Sequence, residues 1–274
     1  MKFLAQAYQN ADAFSGSELE NLEGLLHLMA AHPGFQAYKE VSYKLLELSP
    51  ASHVADVACG LGFDLPHLKA LVPRGSVTGF DLSAKFLASA KARIQAAAGG
   101  IDASIHFQQS DIKALAADTG AFDAVRIDRS LQHIPEPKVA IEEMLRIVRP
   151  GGILCAAEPD WGSFVIASST PEIATKVAAV YACALVNPRI GRDLVDLVGA
   201  ETELMHHSVH SLLFRNLADL NQICVLGDIA ARSVEAGVIT PSENSEFWRD
   251  LQERDREGQC FANLDIHLVS GRKP

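Results

Sequence analysis

Between residues 53 and 158 the chain alternates short apolar runs of strand length with longer segments of helical spacing, and this restricts the fold more than any other feature. HVADVA (53–58), SVTGF (76–80), ASIHFQ (103–108), FDAVRI (122–127) and ILCAAE (153–158) read as strands. FDLPHLKALV (63–72), SAKFLASAKARIQAAA (83–98) and KVAIEEMLRIV (138–148) read as helices. Ser83 is placed to cap the second, and Ile141, Leu145 and Val148 share one face of the third. RPGG (149–152) reads as a turn. Strands alternating with helices are βαβ units, which build a mostly parallel sheet covered by helices on both faces. Right-handed crossovers leave few topologies open.

The flanks are less regular. Leu19, Leu22, Leu26 and Met29 repeat at helix spacing, as do Tyr38, Val41, Leu45 and Leu48, with HPGF (32–35) between the two segments. LSPAS (48–52) ends the region in a turn. Residues 1–50 are therefore expected to form an N-terminal helical lid. Residues 51–274 form the ligand-binding domain, with a lid insertion at about 160–200. Past residue 160 the pattern predicts helices over 171–186 and 191–199 and a strand over 203–214. Two more helices within 216–258 and a terminal strand over 265–271 follow.

Ligands of open parallel sheets bind beyond the carboxyl ends of the strands. Those ends here carry CGLG with Asp56 before it, FDLS with Asp81, QSDI with Asp111, the segment IDRSLQHIPEP, and EPDW. Gly60 and Gly62 allow a tight turn and a close approach of backbone to a ligand. Asp81 follows about twenty residues on, at the spacing that lets a carboxylate accept from ribose hydroxyls. A dinucleotide fingerprint would put a third glycine at Leu65, so a pyrophosphate is disfavoured.

In order and spacing, VADVACGLG, VTGFDLS, QQSDI, FDAVRIDRSLQHIPEP and LRIVRPGGILCAAEPD resemble the motifs of class I S-adenosylmethionine-dependent methyltransferases over roughly residues 50–160. The likeness is nearest to the small-molecule branch that includes ubiquinone and menaquinone biosynthesis enzymes. It implies a Rossmann-like, seven-stranded, mostly parallel sheet with a helical lid, and S-adenosylmethionine as cofactor with S-adenosylhomocysteine as product. Asp56 would then sit near the methionine ammonium, and the backbone of Ala58, Gly60 and Gly62 would lie along the methionine portion. Asp81 would hold the ribose, Leu82 and Phe86 would flank the adenine, and Asp111 and Ile112 would read its edge. Backbone at Asp128 and Arg129 would face the ammonium. His133 matches a histidine often found beside the methyl group. The chain departs from the family's commoner Gly-Cys-Gly-Thr-Gly turn at Ala58 and Phe63, and it carries a charged RIDR at the fourth strand.

The implied reaction is an in-line displacement, which requires alignment and exclusion of water. A small-molecule acceptor, apolar or aromatic, would be methylated on oxygen, nitrogen or carbon, with Tyr38, Trp161 and Arg192 as candidate acceptor contacts. His133 is read either as a base for a hydroxyl or amine or as a hydrogen-bonding member of the IPEP turn. The alternatives are a non-methylating enzyme that binds the same cofactor, such as a cyclase, and a macromolecule methyltransferase. Nucleic acid is disfavoured by 34 acidic against 24 basic residues, a formal charge of −10 and the absence of any basic tract. No metal is expected: His206 and His207 are neighbours on a strand and point to opposite faces. Five scattered cysteines fit a reducing cytoplasm. No apolar run is long enough to span a membrane, and the first residues do not read as a signal peptide. A homodimer is compatible with the sequence.

Overall fold

The computed structural model describes residues 11–100 and 102–274; residues 1–10 of the expected lid lie outside them. Two helices come first, α1 (Ser17–Ala31) and α2 (Pro33–Lys44). The sheet is then built from β1 (His53–Val57), β2 (Ser76–Asp81), β3 (Ile105–Gln109), β4 (Phe122–Asp128) and β5 (Val148–Ile166). The intervening helices are α3 (Leu65–Leu71), α4 (Ala84–Ala98) and α5 (Pro137–Ile147). The remainder is α6 (Pro171–Cys183), α7 (Ile190–Gly199), β6 (Glu203–Phe214), α8 (Leu217–Cys224), α9 (Leu226–Glu235), α10 (Pro241–Arg256) and β7 (Ala262–Arg272).

Seven strands form one sheet in the order β3-β2-β1-β4-β5-β7-β6. The first five are parallel, and β7 runs antiparallel between β5 and β6. This is the seven-stranded, mostly parallel, Rossmann-like sheet that the sequence resemblance implies. Its two faces bury separate apolar cores. One joins α2, α3, α6, α8, α9 and α10. The other packs α5 and α7 against Ala55, Val125 and Leu154.

Local chemistry sets the element ends. Ser83 Oγ accepts from Phe86 N at 3.1 Å, capping α4. Thr240 and Glu243 form a reciprocal capping box on α10.

Three details differ from the sequence reading. RPGG is not a turn between elements: β5 runs straight through it, with a register shift between Phe122 and Ala124 on its partner β4. Gly151, at φ 74°, absorbs the irregularity, and its N–H donates to Lys273 O at 2.8 Å. Residues 216–258 hold three helices rather than two, because the chain breaks at Val225 in a left-handed conformation. Within 160–200, β5 continues to Ile166, and α7 buries Ile190, Leu194 and Val198 in the sheet core.

Candidate active site

The carboxyl ends of the parallel strands open on a cavity of about 380 Å³. After β1 the backbone turns through three left-handed residues, Ala58 at φ 55°, Gly60 at φ 54° and Gly62 at φ 63°. A Cβ on Gly60 would meet nothing within 4 Å, so that glycine leaves its backbone bare to the cavity. A Cβ on Gly62 would come within 3.1 Å of Leu65 and 3.2 Å of Ala90. Gly62 therefore serves the close packing of the turn and does not line the cavity. Asp81 is tied to this turn: Gly60 N–H donates to Oδ2 at 2.8 Å and Ser83 N–H to Oδ1 at 2.9 Å. Leu82 stands beside it, 53% exposed. Asp111 is held by Lys113 N–H at 2.8 Å, with Ile112 next to it at the wall. Phe86 lines the same end and packs with Leu61, Leu22 and Phe14.

Below the glycine turn lies the charged RIDR segment, whose partners no local motif announced. Arg126, on the central strand β4, is 1% exposed. Its guanidinium reaches Asp56 at 3.0 Å, Asp64 at 3.1 Å and Asp128 at 3.3 Å, and donates to Ser42 Oγ at 3.0 Å. Lys39 joins from α2, at 2.7 Å from Asp64 and 3.2 Å from Asp128. Tyr38 donates to Asp128 at 2.7 Å and Tyr43 to Asp64 at 2.6 Å. Arg129 completes the group, 3.4 Å from Asp128. Three cations thus meet three carboxylates, which is the condition under which buried charge is tolerated. Burial pushes Asp56 up to about 7 against the pull of Arg126. For Asp64 burial also pushes upward, but Arg126 and Lys39 together prevail and hold it well below the usual range. The charged segment at the fourth strand is thus a lattice that ties α2 to the sheet.

The turn after β4 is equally determined. Arg129 is left-handed at φ 54°. Glu158, fully buried at the end of β5, accepts from Ser130 N at 2.7 Å, Leu131 N at 2.6 Å and Gln132 N at 3.3 Å. Burial nevertheless raises its carboxyl to about 8. His133 follows, buried and lining the cavity; burial and then Arg129 push its imidazole down to about 3.

The far wall is apolar and drawn from distant sequence. It includes Trp161, Tyr181, Leu212, Phe214, Leu264 and Ile266. Leu26 and Met29 of α1 and Phe35 of α2 line the near side. Phe63, unusual in the turn, receives His27 of α1 edge-on at 4.9 Å and Arg93 on its face at 4.5 Å.

Asp56, Ala58, Gly60, Asp81, Leu82, Phe86, Asp111, Ile112, Asp128, Arg129, His133 and Trp161 thus gather on one cavity. Two expected acceptor contacts lie elsewhere. Tyr38 is buried with its hydroxyl on Asp128 instead of at the cavity wall. Arg192 is outside the lining and paired with Asp160, which it approaches through both Nε and Nη2. Lys39 and Asp64 were missed, and Arg126 entered only as part of the charged RIDR, with no role given. A charge inside an otherwise apolar strand was the available signal.

A Rossmann-like sheet with a bare glycine turn, a strand-end carboxylate clamped to it and a second at the next strand is the arrangement expected of a class I S-adenosylmethionine-dependent methyltransferase. Residues 54–152 match the family model of the methyltransferase domain. The chain is 31% identical over 247 residues to an uncharacterized 37.1 kDa protein in transposon TN4556 of Streptomyces fradiae, across 89% of this chain and 69% of the relative. It is 38% identical over 114 residues to trans-aconitate 2-methyltransferase of Paracidovorax citrulli, 41% of either chain. The crystal structure of the cyclase SpnF matches with a TM-score of 0.57 at 20% identity, over 94% of this chain and 95% of that one, a likeness of fold alone. The chain belongs to the class I S-adenosylmethionine-dependent methyltransferase family. It spans less than half of the length of the trans-aconitate enzyme.

Proposed function

We propose that this protein transfers the methyl group of S-adenosylmethionine to a small, largely apolar acceptor and releases S-adenosylhomocysteine. One observation carries the reading: a single cavity joins the glycine turn and strand-end carboxylates to an apolar wall. The residues fit the cofactor. Gly60 offers uncovered backbone, Asp81 presents a carboxylate already oriented by two N–H donors, and Leu82 and Ile112 supply apolar contact for a base. When bound, the cofactor supplies an activated sulfonium methyl.

The chain then has to orient an acceptor and keep water out. Phe35, Leu212, Phe214 and Trp161 surround the acceptor end with apolar surface. His133 is neutral at pH 7, so it accepts a hydrogen bond from the acceptor but holds a proton weakly. Glu158 is occupied by three backbone N–H groups, and Asp128 by Tyr38, Lys39 and Arg126. With His133 a weak base and Glu158 and Asp128 already engaged, the site suits a nucleophile that is reactive without strong base assistance, such as an amine, an acidic phenol or an enol. The five free cysteines support placement in a reducing cytoplasm. No helix among the described residues is long and apolar enough to cross a membrane.

Calorimetric titration with S-adenosylhomocysteine tests the cofactor assignment. Asp81→Ala is expected to weaken binding about 10- to 100-fold, from loss of a charge-assisted hydrogen bond of about 1.5–3 kcal/mol. Equal affinity in parent and variant would overturn the assignment.

A further inference from the structure

The acceptor wall and the turn after β4 meet through one side chain. Gln132 is buried, and its amide makes two directed bonds. Oε1 accepts from Trp161 Nε1 at 2.7 Å, and Nε2 donates to Arg129 O at 2.9 Å. Its backbone is held as well: the N–H donates to Glu158 and the carbonyl accepts from Asn187 N at 3.0 Å. Trp161 is the larger partner. It stacks on Tyr181 at 3.9 Å between ring centroids, meets Phe164 edge-on at 5.5 Å, and its backbone N–H donates to Pro188 O at 2.8 Å. Trp161 and Tyr181 both line the cavity. A buried indole N–H needs an acceptor, and among the hydrogen bonds of the described residues Gln132 Oε1 is the one that serves it.

We propose that Gln132 is a positioning residue for the acceptor compartment. It holds Trp161 at the cavity wall and couples that wall to the turn bounding the cofactor half, so that cofactor occupancy is felt at the acceptor side. The assignment rests on the methyltransferase reading of the cavity. It goes further in naming what sets the acceptor wall. Two bonds, one accepted and one donated, mean that only a side chain with both functions joins the two halves.

Trp161 and Trp248 are the two tryptophans of the chain, so Trp248→Phe makes Trp161 the sole emitter. In that background, Trp161 emission and acrylamide quenching are measured with and without saturating S-adenosylhomocysteine. The cofactor product is expected to shift the emission of the parent. Gln132→Met is expected to raise the quenching constant at least about threefold, since the ring is no longer held, and to abolish the cofactor-induced shift. S-adenosylhomocysteine affinity should stay within about twofold. Gln132→Glu keeps an acceptor for the indole and loses the donor to Arg129, so it should retain low quenching but lose the shift. The proposal is overturned if Gln132→Met leaves quenching at the parent value, or if the parent shows no shift while calorimetry shows that it binds. Failure of the parent to bind in calorimetry would instead sink the methyltransferase reading. Should Gln132→Met not fold, hydrogen exchange in the unsubstituted protein decides. The Trp161 indole N–H should exchange at least about tenfold slower than that of Trp248, and equal rates would refute the bond.

Discussion

Arg126→Met keeps most of the aliphatic length of the side chain and deletes its charge. Asp56, Asp64 and Asp128, at 3.0, 3.1 and 3.3 Å from the guanidinium, would then face only Lys39 and Arg129. Removing one member of a buried ion pair costs about 3–5 kcal/mol, because the partner is left uncompensated away from water. For a chain of roughly this size that is a fall in melting temperature on the order of 10 °C. The loss should also depend on pH. Burial already pushes Asp56 to about 7 with Arg126 in place, and without it the carboxyl climbs further. A carboxyl whose folded pKa lies above its unfolded value of about 3.9 binds more protons folded than unfolded. Its stability contribution is therefore complete at low pH and is lost as pH rises through the folded pKa. In the parent that loss levels off above about 7, whereas in the variant it continues. Urea denaturation followed by circular dichroism at pH 6 and pH 8.5 should show a larger deficit at the higher pH. A deficit under about 1 kcal/mol, or one equal at the two pH values with unchanged denaturant slope, would refute the view that Arg126 neutralises this cluster.

Two further perturbations are informative. Ala58 holds a left-handed φ of 55°, which costs an L-residue roughly 1–2 kcal/mol. Ala58→Gly relieves that strain and adds unfolded-state entropy of about 0.4–1 kcal/mol, so a net gain of about 0.5–1 kcal/mol is expected by urea denaturation; a loss would mean that the methyl group is packed. His133, pushed down to about 3 by burial and by Arg129, stays neutral in the folded chain. Its contribution is whole above an unfolded pKa of about 6.5 and falls by about 1.4 kcal/mol per pH unit on acidification toward 3. His133→Gln should therefore flatten the stability profile between pH 6.5 and 4, and an unchanged acid limb would rule out a buried neutral imidazole.

The parts of the site that were legible in the sequence are those that a few consecutive residues build. An apolar run ending in Gly60 and Gly62 makes a strand and a turn wherever it sits. Asp81 and Asp111 follow at the ends of the next strands because each βαβ unit repeats one geometry. Ser83 capped its helix as the sequence predicts. The misreadings have equally concrete causes. RPGG carries turn chemistry, yet β5 continues past it because β4 pairs with Val148 before it and Ile153 after it, and Lys273 exchanges bonds with Gly151 and Gly152. Arg192, a candidate acceptor contact, is instead paired with Asp160, thirty-two residues away. Tyr38 lies on the face of α2 that Asp128 occupies.

Periodicity and short-range backbone geometry along the sequence set the order of strands and helices, the sheet they imply and the glycine-turn end of the cavity. The tertiary structure alone decided two things. It gathered Lys39, Asp56, Asp64, Arg126, Asp128 and Arg129 into a neutral buried lattice. It also built the apolar wall of the cavity from β6, β7 and the segments around Trp161 and Tyr181. Charge pairing and apolar packing act between groups that chain crossovers bring together. Spacing along the chain records where such groups start, and the sheet order β4-β5-β7-β6 settles which of them meet.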